Sequence, residues 1–267
     1  MPNLGIISNI PFEATDRETG FQKGLNNAAI TYDVTQNIMY NQAKLANAVS
    51  AYDKVGIYDL IVTLGGLVVA EYALKYVKNV PFISLFGGRL ADFPGTLTGQ
   101  FYGGVALETF DFNNERMRYL KGPKHKFDES LICLLINPNS GCYNEEKANW
   151  RFLGPTINAS NNQEIKDAFS KIDKNLEAMV VSADPIFTAN MDDLVDAANN
   201  TGLHMCYPFQ EYSNSNGSKK PKKGKHTLHG PSLAEAHTRL GEMAAWIVNN
   251  NKPASVAAVP GTVQDPT

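Results

Sequence analysis

The stretch from residue 59 to residue 88, DLIVTLGGLVVAEYALKYVKNVPFISLFGG, is the feature that most constrains the fold. Two apolar runs, Leu60–Leu64 and Pro81–Phe86, each end in a pair of glycines, and a run of helix-forming residues separates them. Neither run alternates with polar residues, which is typical of parallel strands buried on both faces, and the spacing suits a crossover helix. The stretch therefore predicts a β-α-β unit with two parallel strands.

The same alternation of strand and helix continues along the chain. Strands are predicted at 3–8, 31–38, 130–136, 156–159, 177–183 and 203–207, and helices at 16–29, 42–52, 108–120, 145–153, 161–172, 191–200 and 233–248. Residues 93–104, rich in Gly, Pro and Thr, interrupt the rhythm and are a candidate hinge. The predicted fold class is α/β, with two Rossmann-like lobes that contain parallel sheets and are joined by hinge strands.

Composition excludes several classes of partner. The 267 residues carry a net charge of -3, so no overall charge indicates nucleic acid or an anionic membrane surface. No apolar run reaches the roughly 18 residues of a membrane span, which predicts no direct membrane insertion. The lysine-rich segment 214–225 contains no aromatic residue or arginine, and we expect a solvated loop there, not a nucleic-acid site.

Motifs for catalysis are missing. The sequence has no G-x-S-x-G, no G-x-x-x-x-G-K-[ST] and no G-x-G-x-x-G after its first strand, so the hydrolase, P-loop and dinucleotide classes lack their characteristic parts. His226, His229 and His237 are close in sequence but are weak evidence for zinc. The sequence spacing does not support Cys142 as a nucleophile with His204 or His229 as its base. We therefore expect a protein that is not an enzyme and that needs no cofactor or metal.

A series of segments in a fixed order carries a resemblance to a known family. The segments are GFQKGLN (residues 20–26), DLIVTLGG, VPFISLFG, PGTLTG, LLINPNS, EAMVVSADPIF, YPF, LHGPSLAEAH and NNKPASV. In order and spacing they resemble the substrate-binding proteins of ABC transporters with the periplasmic-binding-protein type I fold, a family that includes binders of aromatic amino acids. The resemblance extends over nearly the whole chain.

The resemblance implies two α/β lobes that close over a small-molecule ligand, with an ABC-transporter permease as a partner. Lobe one would comprise residues 1–104 and 231–252, and lobe two residues 105–230 and 253–267. The family pattern fails at Arg89, where relatives usually carry an acidic residue after the glycine, and at His229, which stands in the family's Ser-Tyr-Gly turn. The identity of the ligand therefore does not transfer.

The transport role has one alternative. The N-terminal residues read as a first strand and not as a signal peptide. If a signal peptide has been removed upstream, the protein is periplasmic or extracellular, and otherwise it is cytoplasmic. A cytosolic protein that senses a metabolite with the same two lobes is the alternative function.

The position of the ligand site follows from the predicted sheets. In parallel α/β sheets ligands collect outside the carboxyl ends of the strands, so we expect the binding residues immediately after each apolar run. The candidates are Ser8, Asn9, Phe12, Gly65, Gly66, Phe86, Gly87, Arg89, Asn137, Asn139, Ser140, Asp184, Phe187, Tyr207, Tyr212 and His229.

The chemistry of these candidates favours an amino acid or a similar zwitterion. Arg89 and the helix N-termini suit a carboxylate, Asp184 or Glu211 suits an ammonium group, and the aromatic residues suit an apolar body. The hypothesis is that Asp184 and the turn at Gly65 and Gly66 contact the polar ends of the ligand, while at least two aromatic side chains enclose its body.

Each candidate also has a purely structural interpretation. The glycine pairs suit tight turns, and Asp184 before Pro185 suits a helix cap. Individual aromatic residues are most often core residues, and Arg89 is equally consistent with a surface charge. The sequence leaves these alternatives open.

Overall fold

The structure is a computed structural model that describes residues 1–26, 28–38, 41–87, 99–107, 112–122, 124–150, 154–214, 221, 225–258 and 262–264. The chain divides into two compact units. The first unit contains Met1–Glu108 and Leu233–Val259, and the second contains Thr109–Ser232 and Pro260–Thr267.

The first unit is built on a six-stranded parallel sheet. Its strands are β1 (Asn3–Ser8), β2 (Thr31–Thr35), β3 (Leu60–Leu64), β4 (Phe82–Phe86), β5 (Phe101–Ala106) and β11 (Val256–Ala258), and its helices are α1 (Asp16–Leu25), α2 (Gln42–Tyr52), α3 (Leu67–Tyr76) and α9 (Leu233–Asn250). The strand order is β11-β5-β4-β3-β1-β2, with every neighbouring pair parallel. Helices α2 and α3 pack on the sheet in one hydrophobic cluster that includes Leu45, Val69 and Ile61.

The second unit repeats this architecture around a sheet of mixed direction. Its strands are β6 (Ile132–Ile136), β7 (Thr156–Asn158), β8 (Ala178–Val181), β9 (His204–Tyr207), β10 (His226–Gly230) and β12 (Thr262–Gln264), and its helices are α4 (Phe112–Lys121), α5 (Tyr143–Asn149), α6 (Asn162–Ser170), α7 (Pro185–Ala189) and α8 (Met191–Asn199). The order is β12-β10-β9-β8-β6-β7; β12 is antiparallel to β10, and the other neighbours are parallel.

The β-α-β prediction is confirmed in its strands, its helix and its direction. Strands β3 and β4 are parallel neighbours, with Ile61 opposite Phe82, and every residue in both strands is buried. The predicted helix at 161–172 is also present as α6, and the Asn161 side chain caps it by accepting a hydrogen bond from the Glu164 amide at 2.9 Å. The α/β class with two parallel-stranded sheets is confirmed.

The predicted lobe boundaries need correction at three places. Strand β5 continues to Ala106, two residues past the boundary at 104. Val256–Ala258, which we had assigned to lobe two, pairs with Gly104–Ala106 in the first sheet, whereas Thr262–Gln264 pairs with β10 in the second. Residues 231–232 belong to the second unit, because the break comes directly before α9 at Leu233. Strand pairing decides these assignments, and sequence periodicity does not report pairing.

Part of the predicted hinge and most of the lysine-rich loop lie outside the described residues, which omit 88–98, 215–220 and 222–224. Within the described part of the chain, no helix is both long enough and apolar enough to cross a membrane.

Close packing of α1 against α9 joins the two chain segments of the first unit. A Cβ atom at Gly20 would lie 2.6 Å from the Ala234 carbonyl oxygen, and one at Gly24 would lie 2.0 Å from the Thr238 carbonyl oxygen. On the facing helix, a Cβ atom at Gly241 would lie 2.2 Å from the Phe21 carbonyl oxygen. The glycines therefore allow the two helix backbones to touch, which explains the G-F-Q-K-G spacing in physical terms.

We expect Gly24→Ala to lower the free energy of unfolding by about 1–3 kcal/mol, because the added methyl group meets backbone that cannot rotate away. Urea denaturation followed by circular dichroism measures this change. Gly202→Ala is the matched control, since a Cβ atom at Gly202 meets nothing within 4 Å. Equal stability of the two variants would contradict the close approach of α1 and α9.

Candidate functional site

The carboxyl ends of β1 and β3 form one turn-rich edge of the first sheet. The Asn9 side-chain amide donates to the Gly65 carbonyl oxygen at 3.0 Å, and the Asn9 backbone N–H donates to the Leu64 carbonyl oxygen at 3.2 Å. Gly65 and Gly66 both have positive φ angles, of 93° and 106°. A side chain at either position would be strained, so the paired glycines are required by the turn itself.

Ser8, Phe12 and Phe86 are fully buried in the first unit. The Ser8 hydroxyl donates to the Ile10 carbonyl oxygen at 2.8 Å and closes the turn after β1. The Phe12 ring packs edge-on against Phe21 at 5.9 Å between ring centroids, and Phe86 belongs to the sheet's hydrophobic cluster. For these two rings the structure favours the core interpretation. Gly87 is half-buried after β4, and Arg89 lies outside the described residues.

In the second sheet the structure brings Asn137 and Asp184 together. The Asn137 side-chain amide donates to Asp184 Oδ1 at 3.0 Å, and both side chains are buried. The Asn139 backbone N–H donates to Asn137 Oδ1 at 2.9 Å. Asp184 Oδ1 also accepts from the Ile186 backbone N–H at 2.9 Å, so Asp184 caps α7. The side-chain oxygen of Ser140 accepts from the Cys142 backbone N–H at 3.2 Å.

The aromatic candidates of the second unit form a buried group. Tyr207 and Tyr212 stack with ring centroids 4.6 Å apart and planes 14° apart. The Tyr207 hydroxyl lies 2.9 Å from His226 Nδ1, and burial raises the pKa of Tyr207 well above its usual value. Both tyrosines and Phe187 are fully buried, so a ligand would reach these rings only after the surrounding side chains move.

His229 lies near the end of β10 in a cationic environment. Burial and the Arg116 charge lower its pKa to about 4, so the imidazole is neutral at neutral pH. Its Nε2 atom lies 3.7 Å from Glu115 Oε2, a separation that makes an ion pair only when the ring is protonated. At neutral pH His229 therefore offers this site a polar ring without charge.

Arg116 on α4 was missed by the sequence analysis, although it is fully buried at the carboxyl edge of the second sheet. Its Nε atom donates to the His229 carbonyl oxygen at 2.8 Å, and Nη2 lies 3.4 Å from the Pro208 carbonyl oxygen. Burial lowers the pKa of the guanidinium only to about 10, so it remains charged at neutral pH. Arg116 thus ties the end of β10 to the residue that follows β9.

Glu146 on α5 was also missed. Ser182, directly after β8, donates its hydroxyl to the Glu146 carboxylate at 2.7 Å, and the Asn113 amide donates to the same carboxylate at 3.2 Å. Burial is the main cause that raises the pKa of Glu146 to about 7, and the nearby charge of Asp184 adds to the increase. Glu146 is therefore partly protonated near neutral pH.

Asn113 joins these two groups into one buried polar network, which we define as Asn113, Arg116, Glu146 and Ser182. Arg116 Nη1 donates to Asn113 Oδ1 at 2.7 Å, while the Asn113 amide faces Glu146. The network thus reaches the carboxyl ends of β8, β9 and β10. The sequence contains one sign that Arg116 is buried: it lies beside Met117 on the apolar face of a predicted helix.

The buried cysteines and the histidines give no metal site in the described part of the chain, where no three His, Cys, Asp or Glu side chains converge. Burial raises the pKa of Cys133 and of Cys206 to about 12, which keeps both thiols protonated. His237 lies in α9 with Nδ1 2.7 Å from the Leu233 carbonyl oxygen, and His226 and His229 lie in β10.

Solved structures with the same fold are numerous, although the sequence matches no protein-family model and no curated protein sequence. The chain superposes on the ABC domain in complex with L-Trp from Streptococcus pneumonia with a TM-score of 0.70 and 14% identity, covering 97% of this chain and 91% of that one. A carbohydrate transporter solute-binding protein from Agrobacterium radiobacter in complex with D-arabinose gives 0.66 at 11% identity, covering 98% and 94%. The trehalose repressor from Escherichia coli gives 0.63 at 13% identity, covering 98% and 99%.

These similarities define the architecture. The chain has the two-lobe α/β fold of the periplasmic-binding-protein type I class, as the sequence resemblance predicted. Solute-binding proteins and transcriptional repressors both use this fold. At these sequence identities the similarity establishes the fold only. The function has to be inferred from the residues of the site.

The pH dependence of the free energy of unfolding, compared between the wild type and Glu146→Gln, tests the buried network. The folded-state pKa of Glu146 is about 7, above its ordinary value of 4.5, so the folded protein retains a proton that the unfolded chain releases. The stabilisation from this proton is complete below the ordinary value and is lost as pH rises through 7. Relative to Glu146→Gln, the wild-type free energy of unfolding should fall by roughly 2.5 kcal/mol between about pH 5 and pH 8.

Chemical denaturation of both proteins at each pH measures this difference. The buried histidines titrate in both proteins, so their contribution cancels. Glu242→Gln, which changes an exposed carboxylate, is the control and should show no such trend. A constant difference between wild type and Glu146→Gln across this range would contradict the raised pKa.

Proposed function

We propose that this protein is a solute-binding protein that takes a small zwitterionic ligand, an amino acid or a close analogue, at the carboxyl edge of the sheet in its second unit. The observation that carries the proposal is the buried Asp184 carboxylate held by Asn137 and by the Ile186 amide directly after β8. A carboxylate fixed in this way is oriented before a ligand arrives, which lowers the entropy cost of binding an ammonium group.

The first unit offers groups for an anion at the carboxyl edge of its own sheet. The turn at Gly65 and Gly66 leads directly into α3, whose first backbone N–H groups have no partner within the helix. Such N–H groups, with the partial positive charge of a helix N-terminus, suit a ligand carboxylate.

The buried polar network would hold the site of the second unit in position. Arg116 fixes the His229 and Pro208 carbonyl groups, and Pro208 directly follows Tyr207. The backbone at Pro208 leaves Gly230 no room for a side chain, since a Cβ atom there would lie 1.7 Å from the Pro208 carbonyl oxygen. Arg116 is thus proposed as a positioning residue and not as a ligand contact, because its side chain is fully buried.

Delivery of the ligand to an ABC-transporter permease is the role we propose first, with a periplasmic or extracellular location. Its support is the fold that this chain shares with an ABC domain in complex with L-Trp and with a carbohydrate transporter solute-binding protein in complex with D-arabinose. A cytosolic metabolite sensor is the second candidate, and the specific observation in its favour is that the trehalose repressor superposes over 98% of this chain.

Thermal unfolding with L-tryptophan, L-phenylalanine, D-arabinose and trehalose tests the ligand class. We expect the amino acids to raise the unfolding temperature and the sugars to leave it unchanged. A ligand at 100 times its Kd stabilises the folded state by about 2.7 kcal/mol. Stabilisation by a sugar alone would contradict the zwitterion proposal.

Isothermal titration of Asp184→Asn with the stabilising amino acid tests the carboxylate. Asparagine keeps an oxygen for the cap of α7 but removes the charge, so the affinity should fall about tenfold or more. Asp128→Asn is the matched control, because Asp128 also accepts the backbone N–H two residues later, at 2.9 Å from Ser130, but precedes the amino end of β6 and not a carboxyl end. Unchanged affinity in Asp184→Asn would remove Asp184 from the site.

A further inference from the structure

A cavity lies at the opposite edge of the second sheet, where strands β8 and β9 begin. Its volume is about 530 Å³, within the range of small-molecule sites. The residues that line it include Phe127, Asp173, Lys174, Glu177, Gly202 and His204. We call this cavity the amino-edge pocket. None of the predicted ligand-binding residues lines it.

One wall of the amino-edge pocket is apolar and aromatic. Phe169 and Leu203 are buried beneath it, with exposures of 5% and 3%. The Phe127 ring lies 4.6 Å from the His204 ring, measured between centroids, and stacks on His125 at 5.6 Å with planes 11° apart. This ring cluster presents a surface suited to a flat apolar group.

The other groups around the pocket favour a positive charge. Helix α6 ends at Ser170 and helix α8 ends at Asn199, so two helix C-termini, which carry partial negative charge, meet at this edge. Asp173 and Glu177 add two exposed carboxylates to the lining. Negative charge therefore gathers beside the aromatic wall.

Positively charged groups also lie around the pocket. Lys174 contributes one exposed ammonium group to the lining. Lys225 Nζ lies 3.4 Å from the Gly202 carbonyl oxygen, so a carbonyl group of this rim already accepts a hydrogen bond from an ammonium group. Burial and the charges of His125 and Lys225 lower the pKa of His204, which keeps its ring neutral at neutral pH. His204 therefore does not repel a cation.

We propose that the amino-edge pocket is a second binding site that takes an aromatic primary amine, with the ring against Phe127 and His204 and the ammonium group toward Asp173 and Glu177. This site is independent of the one proposed at the carboxyl edge. It would allow an organic cation to bind the same unit from the opposite end of the sheet.

Titration of histidine-labelled protein with 2-phenylethylamine tests the proposal by NMR. Resonances of the His204 ring should shift in a saturable manner, and His204→Gln identifies them by their disappearance. The matched probes are 3-phenylpropionate, which has the same ring and the opposite charge, and 2-phenylethanol, which is neutral. Both should bind at least several-fold more weakly. Equal shifts with all three probes, or no shift with the amine, would overturn the proposal.

Variants then locate the amine within the pocket. Glu177→Gln and Asp173→Asn should each weaken 2-phenylethylamine about threefold, the usual scale for one exposed charge pair. Gly202→Phe should weaken it further, because a side chain there has open space beside the pocket and would compete for it. Glu242→Gln in the other unit is the control for charge removal and should bind as wild type.

The carboxyl-edge site can be separated in the same experiment. Asp184→Asn should leave the 2-phenylethylamine affinity unchanged, while Glu177→Gln should leave the response to L-tryptophan or L-phenylalanine unchanged. If Asp184→Asn abolished the His204 shifts, the amine would be binding at the carboxyl edge and the second site would be refuted. Failure of the amino-acid proposal would not affect this result.

Discussion

Burial of the sheets on both faces is the constraint on which the other features depend. All residues of β3, β4, β6 and β8 are buried, and their backbone groups are satisfied by neighbouring strands. Polar side chains cannot be placed along such strands without partners, because an unpaired buried polar group costs on the order of 1–3 kcal/mol. Polar chemistry therefore collects at the two ends of each sheet.

At the carboxyl edge of the second sheet this constraint produces a buried polar network with charge inside the protein. Arg116 is stabilised by carbonyl oxygens and by Asn113, and Glu146 is held by Ser182 and Asn113. Removal of one partner from such a network leaves another buried group unsatisfied, so the network acts as a unit. It fixes the residues after β8, β9 and β10, which carry the proposed ligand contacts.

The two edges of the same sheet carry different helix ends. Its parallel strands all run in one direction, and the helices that connect them run in the opposite direction. Strand β8 is followed at its carboxyl end by Ser182 and Asp184, which caps the N-terminus of α7. Its amino end follows Glu177, close to the C-terminal ends of α6 and α8. One edge thus carries a buried carboxylate that caps a helix, and the other carries exposed carboxylates beside helix C-termini. A single sheet can therefore support a separate site at each of its two ends.

The sequence by itself determined the α/β class, the β-α-β unit at Leu60–Phe86 and the position of Asn137 and Asp184 shortly after buried strands, because apolar runs report burial. The hydrogen bond between Asn137 and Asp184 appeared only in the folded chain. It could not predict that Phe12 and Phe86 face the core, since an aromatic residue after or within a strand suits either role. Arg116 and Glu146, 30 residues apart in the sequence, were joined only by tertiary structure. Their roles depend on which strand ends lie side by side, and that pairing is a long-range property of the folded chain.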